Sequence, residues 1–220
     1  MEKLRAVVFD LDGTLLDTLD DLMGATNAAL AANGLPPRTR EEVRRFVGNG
    51  IGKLVERAVP QGTAAAVTAQ VLADFTAYYT RHDLDRTAPY AGVQEMLHAL
   101  RQAGLSLAVV SNKLESAVEN LRQHFFADTI AVAAGDCPGR PRKPAPESTL
   151  AALARLGVPP QQALFVGDSD VDIATARNAG MPCLSVCWGF RDREFLLAHG
   201  AAVIVEQPQQ AAEYILQQIG

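Results

Sequence analysis

The sequence predicts an α/β fold: a doubly wound, mostly parallel, Rossmann-like sheet with an α-helical unit inserted into it. Three observations lead there. Short apolar runs rich in Val, Leu and Ile recur along the chain, mostly continuous instead of alternating, as strands covered on both faces require. Between them lie stretches of helical periodicity, several closed by a glycine. One connection, residues 15–88, holds no convincing strand but several amphipathic helices.

The first run, 4–9, reads Leu-Arg-Ala-Val-Val-Phe and stops at an acid. The insertion follows, with helices expected at 19–33, 40–47, 51–58 and 64–82. A crossover between parallel strands needs only about a dozen residues plus loops, so the excess forms a second, all-helical unit. Its exit is marked by Pro89-Tyr90-Ala91-Gly92. Strand runs at 105–110, 129–133, 163–166, 183–187 and 202–205 then alternate with helices at 92–103, 115–124, 147–156, 171–179 and 209–219. Gly104, Gly157 and Gly180 stand where helices should stop. The expected division is 1–16 with 89–220 in the α/β unit and 17–88 in the helical one.

Composition narrows the function classes. A chain of 220 residues that is 48% hydrophobic is globular and can bury a substantial core. A net charge of −5 with both signs interspersed gives no reason to expect nucleic acid or an anionic membrane as partner. The apolar run near the N-terminus is too short for a signal-peptide core or a membrane span, so a cytoplasmic location is expected. Cys137, Cys183 and Cys187 have no metal-binding spacing and are odd in number, which reads as buried thiols. No heptad seam is present, and a monomer or weak dimer is expected.

In open parallel sheets ligands bind outside the carboxyl ends of the strands. Asp10 and Asp12 follow the first run and Ser111-Asn112-Lys113 the second; the loop after the third carries Arg140, Arg142 and Lys143. Gly167-Asp168-Ser169-Asp170 follows the fourth, with Asp172 close behind. Carboxylates gathered at one edge repel unless a cation or shared protons neutralise them. All-oxygen ligation without histidine or cysteine favours a hard ion, with Mg²⁺ the expected one. Ser111, Lys143 and backbone N–H groups at the next helix start are suitable donors to a phosphoryl group held by that ion.

Asp10-Leu11-Asp12-Gly13-Thr14, then Ser111, then Lys143 within Arg-Lys-Pro-Ala-Pro-Glu, then Gly-Asp-Ser-Asp-Val-Asp at 167–172 resemble the four motifs of the haloacid dehalogenase-like hydrolase superfamily, in order and spacing. The resemblance covers the whole chain, the helical unit corresponding to the family's cap. Within the superfamily, Arg45-Phe46-Val47-Gly48-Asn49-Gly50, Pro89 to Val93, Val109 to Lys113 and Gly180 to Phe190 are similar to phosphoglycolate phosphatases.

The resemblance implies a Mg²⁺-dependent phosphatase acting on a small phosphorylated metabolite, with 2-phosphoglycolate as first substrate. Asp10 would be the nucleophile that forms an aspartyl-phosphate, and Asp12 the general acid and then base. Asp10, the Asp12 backbone carbonyl and Asp168 would hold the metal, with Asp172 supporting its shell. Ser111, Asn112, Lys143 and Thr14 would bind phosphate. In the cap, Arg45, Asn49, Gly50 and Lys53 would select the substrate. Trp188-Gly189-Phe190 is open between lining the cleft and packing the core.

Two other functions fit part of the pattern. A phosphomutase of the β-phosphoglucomutase type uses the same aspartate pair and a similar cap. A phosphate-binding module without turnover could keep the acids, hydroxyl and lysine, as receiver domains do. Carbon–halogen cleavage is disfavoured by Asp12, which those relatives lack, and a phosphonate-cleaving relative would need a cap lysine, of which Lys53 is the only example.

Overall fold

Both faces of the first strand are buried, which is why its sequence cannot alternate. The computed structural model describes residues 3–219. Among these lie β1 (Ala6–Phe9), β2 (Leu16–Asp17), β3 (Ala88–Pro89), β4 (Ser106–Leu114), β5 (Val132–Asp136), β6 (Ala163–Gly167), β7 (Cys183–Val186) and β8 (Val203–Val205). All four side chains of β1 are inaccessible to solvent, and full burial of a Val or Phe side chain stabilises by about 1.5–3 kcal/mol.

Six of these strands form one sheet in the order β5-β4-β1-β6-β7-β8, while β2 and β3 pair separately. Every pairing in the large sheet is parallel. The helices are α1 (Leu19–Ala32), α2 (Arg40–Phe46), α3 (Ile51–Ala58), α4 (Ala65–His82), α5 (Val93–Gln102), α6 (Glu115–Phe126), α7 (Glu147–Leu156), α8 (Asp170–Asn178), α9 (Arg193–Ala198) and α10 (Pro208–Leu216). The doubly wound α/β class expected from the sequence is the one observed. The chain runs outward from β1 to β4 and β5, then returns to β6 on the other side, so a crevice opens at the carboxyl end of β1.

Two compact units make up the chain, Met1–Leu15 with Pro89–Gly220 and Leu16–Ala88. In the helical unit, Leu22 and Leu30 of α1 and Val71, Phe75 and Tyr79 of α4 are buried, with the Phe75 and Tyr79 rings stacked 5.6 Å apart. Asp21 is a buried carboxylate whose Oδ2 accepts from Arg86 N, Thr87 N and Thr87 Oγ1 at 2.8–3.0 Å, tying the end of the unit to α1. Thr39 and Glu42 cap α2 reciprocally.

The α/β unit departs from expectation in four places. First, β4 runs on through Ser111-Asn112-Lys113 to Leu114, beyond the expected end at 110. After a register shift at Val110, Leu114 pairs with Asp136, so the polar triplet lies on a strand. Second, β5 begins three residues late, because Thr129 N and Ile130 N both donate to Phe126 O and close α6 first. Third, α9 has no counterpart in the periodicity; at six residues it is too short to show any, and it is capped by Asp192, whose side chain accepts from Phe195 N. Fourth, the cysteines are free but only partly buried; burial pushes the Cys183 thiol up to about 12. No described helix is long and apolar enough to cross a membrane.

Candidate active site

The ladder between β1 and β6 carries Asp10 to the edge of the sheet, its N–H donating to Val166 O at 2.9 Å. Asp10 Oδ1 accepts from Leu11 N at 2.7 Å and meets Lys143 Nζ at 2.7 Å. Lys143 Nζ also donates to Asp172 Oδ1 at 2.8 Å, with side-chain exposures of only 2% and 0%. Asp172 Oδ2 accepts from Ser169 N and Oγ at 3.1 and 2.6 Å, so one carboxylate starts α8 and anchors the lysine. Asp10, Asp168 and Asp172 each offer a ligand atom within 4.8 Å of the others.

Burial pushes the Asp10 carboxyl well above its ordinary value, and the Asp172 charge adds to this against the opposing pull of Lys143. Burial, with the same neighbour, raises Asp168 to about 7 although the Phe190 N–H counteracts it. For Lys143 burial alone would lower the pKa, but the Asp10 and Asp172 carboxylates outweigh it and hold the ammonium firmly charged.

A second, partly buried ion pair sits beside the first. Lys113 Nζ lies 3.0 Å from Asp12 Oδ1, with side-chain exposures of 4% and 15%. With all groups ionised, the carboxylates of Asp10, Asp12, Asp168 and Asp172 outnumber the cations that face them, Lys113, Lys143 and Arg191. An all-oxygen donor set with that excess suits a small hard divalent cation.

Asp168 is aimed by groups from both sides of the crevice. Its Oδ1 accepts from Thr14 Oγ1 at 3.3 Å and its Oδ2 from Phe190 N at 2.6 Å. Trp188 Nε1 donates to Thr14 O at 2.9 Å, so the loop after β7 grips the motif after β1. Thr14, expected on phosphate, is fully buried and hydrogen-bonded to a carboxylate. Phe190 packs in the core, as one of the two open readings has it, and the N–H groups of Trp188 and Phe190 also hold the site. A short stretch of sequence gives no sign of this, because the partners are 22 and 174 residues apart.

Two glycines are needed for that close approach. Gly13 has φ +86°, and a Cβ there would meet the Asp168 carboxylate at 2.5–2.9 Å. At Gly189 a Cβ would collide with the Gly13 carbonyl and lie 2.5 Å from Asp168 Oδ2. Gly189→Ala is expected to destabilise the protein by about 2–4 kcal/mol, since neither neighbour is a flexible tip that can yield. Thermal melting of the variant checks this, and an unchanged melting temperature would contradict the packing.

Other expected residues fall as follows. The Ser111 hydroxyl, buried, accepts from Lys113 N at 3.2 Å. Asn112 Nδ2 donates to Lys143 O at 3.0 Å, holding the backbone of the lysine. Arg140 pairs with Glu115 and Arg142 with Asp136, leaving Lys143 as the basic residue of its loop that turns inward. Within the helical unit Arg45 pairs with Glu41 and Lys53 with Glu56, all four side chains more than half exposed. Asn49 Oδ1 accepts from Arg57 Nη2 at 2.8 Å, and Gly50 takes φ +82° before α3. Sequence reasoning assigns Lys113 no role, and the register shift between Val110 and Leu114 interrupts the alternation that would show which face it occupies.

This arrangement is that of a hydrolase whose sheet edge carries the chemistry, and residues 7–186 match the haloacid dehalogenase-like hydrolases; the chain belongs to that family. Within the family it resembles the phosphoglycolate phosphatases. A phosphoglycolate phosphatase of Xylella fastidiosa is 37% identical, the match covering 93% of this chain and 90% of the relative. An N-acetylmuramic acid 6-phosphate phosphatase of Pseudomonas aeruginosa is 36% identical, covering 97% and 95%. A solved structure of a candidate phosphoglycolate phosphatase from Lactobacillus delbrueckii superposes with a TM-score of 0.93 at 36% identity, covering 97% and 98%. CbbY of Rhodobacter sphaeroides, solved in complex with phosphate, gives 0.73 at 26% identity over 92% and 93%.

Proposed function

We propose that the chain is a Mg²⁺-dependent phosphatase that hydrolyses a small phosphomonoester through an aspartyl-phosphate on Asp10, 2-phosphoglycolate being the first substrate to test. The observation that carries this reading is the convergence of the Asp10, Asp168 and Asp172 carboxylates around Lys143. Held by Asp10, Asp168 and the Asp12 carbonyl, Mg²⁺ would offset charge on the phosphoryl oxygens and keep Asp10 ionised.

The residues then divide the work. An Asp10 oxygen attacks phosphorus as the ester P–O bond breaks, and Asp12 gives a proton to the departing oxygen. Water attacks the aspartyl-phosphate next, its proton passing to Asp12, and inorganic phosphate leaves. Lys143 and Ser111 hold the phosphoryl oxygens through both steps, the lysine offsetting charge where it accumulates. Asp172 keeps Lys143 in place. The helical unit, residues 17–88, serves as a cap in which Arg45, Asn49, Gly50 and Lys53 select the leaving group.

The test is phosphate release from 2-phosphoglycolate, N-acetylmuramic acid 6-phosphate and hexose phosphates, with Mg²⁺ and after chelation. Chelation is expected to reduce turnover by at least about 10³-fold, since the metal's charge stabilisation is lost. Isomerisation of a hexose phosphate without phosphate release would favour a phosphomutase. No release from any ester would favour a binding module.

A further inference from the structure

The cations proposed for the cap are paired in solvent-exposed positions with acids of their own helices. Besides Lys143, a cation from the sheet is buried beside the chemistry. Lys113 Nζ lies 3.0 Å from Asp12 Oδ1, and its side chain is only 4% exposed. In the mechanism above Asp12 touches the ester oxygen, so an ammonium one hydrogen bond from Asp12 stands on the leaving-group side of the phosphoryl group. Lys143, in contrast, belongs to the nucleophile side, where it meets Asp10.

We infer that Lys113 is a specificity-determining residue: it receives a carboxylate borne on the carbon next to the ester oxygen of the substrate. This rests on the phosphatase reading and deepens it by naming the substrate class, phosphate esters of 2-hydroxy acids. The geometry is favourable because such a carboxylate and the ester oxygen are attached to the same carbon. An ammonium that already contacts Asp12 reaches both without moving its stem. A carboxylate remote from the phosphorylated oxygen, as in N-acetylmuramic acid 6-phosphate, falls outside that reach. Desolvated ammonium–carboxylate contacts are charge-assisted and discriminate strongly against a neutral group in the same place.

The experiment compares 2-phosphoglycolate with 2-hydroxyethyl phosphate, which replaces the carboxylate by a hydroxymethyl group, using wild type, Lys113→Gln and Lys113→Arg with Mg²⁺. Wild type is expected to prefer phosphoglycolate in kcat/KM by at least about tenfold, the worth of one charge-assisted contact. Lys113→Gln is expected to lose at least about tenfold more on phosphoglycolate than on the neutral ester, mostly through KM, and Lys113→Arg to restore part of the preference. Equal losses on both esters would show that Lys113 merely supports Asp12 and would overturn the inference. A wild type that hydrolyses both esters equally well would overturn it too while leaving the phosphatase reading intact, and that comparison stands even if Lys113→Gln fails to fold. A wild type that releases phosphate from no ester at all removes the phosphatase reading itself, and the inference with it.

Discussion

Asp10→Asn will leave the fold intact and reduce phosphate release from any ester by at least about 10⁴-fold, the scale of losing a nucleophile. The reasons are local. Asn is nearly isosteric with Asp, and its amide oxygen can still accept from Leu11 N, which donates to Asp10 Oδ1 at 2.7 Å. Lys143 keeps its 2.8 Å contact with Asp172, so no ammonium is left buried without a partner. Burial and the Asp172 charge already make the ionised Asp10 costly without a cation, so its neutral replacement should not lower the melting temperature. An amide cannot form the acyl phosphate, however. Phosphate release by the variant at a rate comparable with wild type, with a normal melt, would remove Asp10 from the reaction.

The parts of the site that are legible in the sequence are those that follow from strand ends. An apolar run buried on both faces must stop where a charged residue begins, so the apolar pattern alone places Asp10 and Asp168 at the sheet edge. Lys143 is legible for a different reason: it lies in a loop after a strand, and the family resemblance singles it out from Arg140 and Arg142. The structure supplies the physical distinction, since both arginines are held by acids at 2.6 Å while the lysine points inward.

The groups that aim those side chains are not legible. Thr14, Asn112, Trp188 and Phe190 act through hydrogen bonds to partners far away in the chain, two of them to backbone atoms of the partner. Periodicity reports which face a residue occupies, not which distant carbonyl or carboxylate it meets. β4 shows the same limit: its polar end reads as a loop until the register shift at Val110 and the Leu114–Asp136 pairing are seen. In the helical unit, by contrast, the Arg45–Glu41 and Lys53–Glu56 pairs follow directly from helical spacing of four and three.

Asp168→Asn will make the metal-free protein more stable above neutral pH, while it abolishes stabilisation by Mg²⁺. The Asp168 carboxyl is raised from 3.8 to about 7, first by burial and then by the Asp172 charge. Between those two values the folded protein holds a proton that the unfolded chain has released, so stability falls as pH rises through that window and stays low above it. Without a cation, then, ionised Asp168 opposes folding. Asn removes the charge, and its packing is tolerable: its oxygen can accept from Phe190 N while its amide donates to the Thr14 hydroxyl, whose own proton rotates away. In the presence of a chelator the variant should gain about 1–3 kcal/mol at about pH 8, or roughly 2–4 °C of melting temperature per kcal/mol, and much less at about pH 5. Millimolar Mg²⁺ should raise the melting temperature of wild type by mass action and leave the variant unmoved. A variant that melts below wild type at about pH 8 with chelator present would mean that Asp168 is not a frustrated charge awaiting a cation, and would take the metal assignment with it.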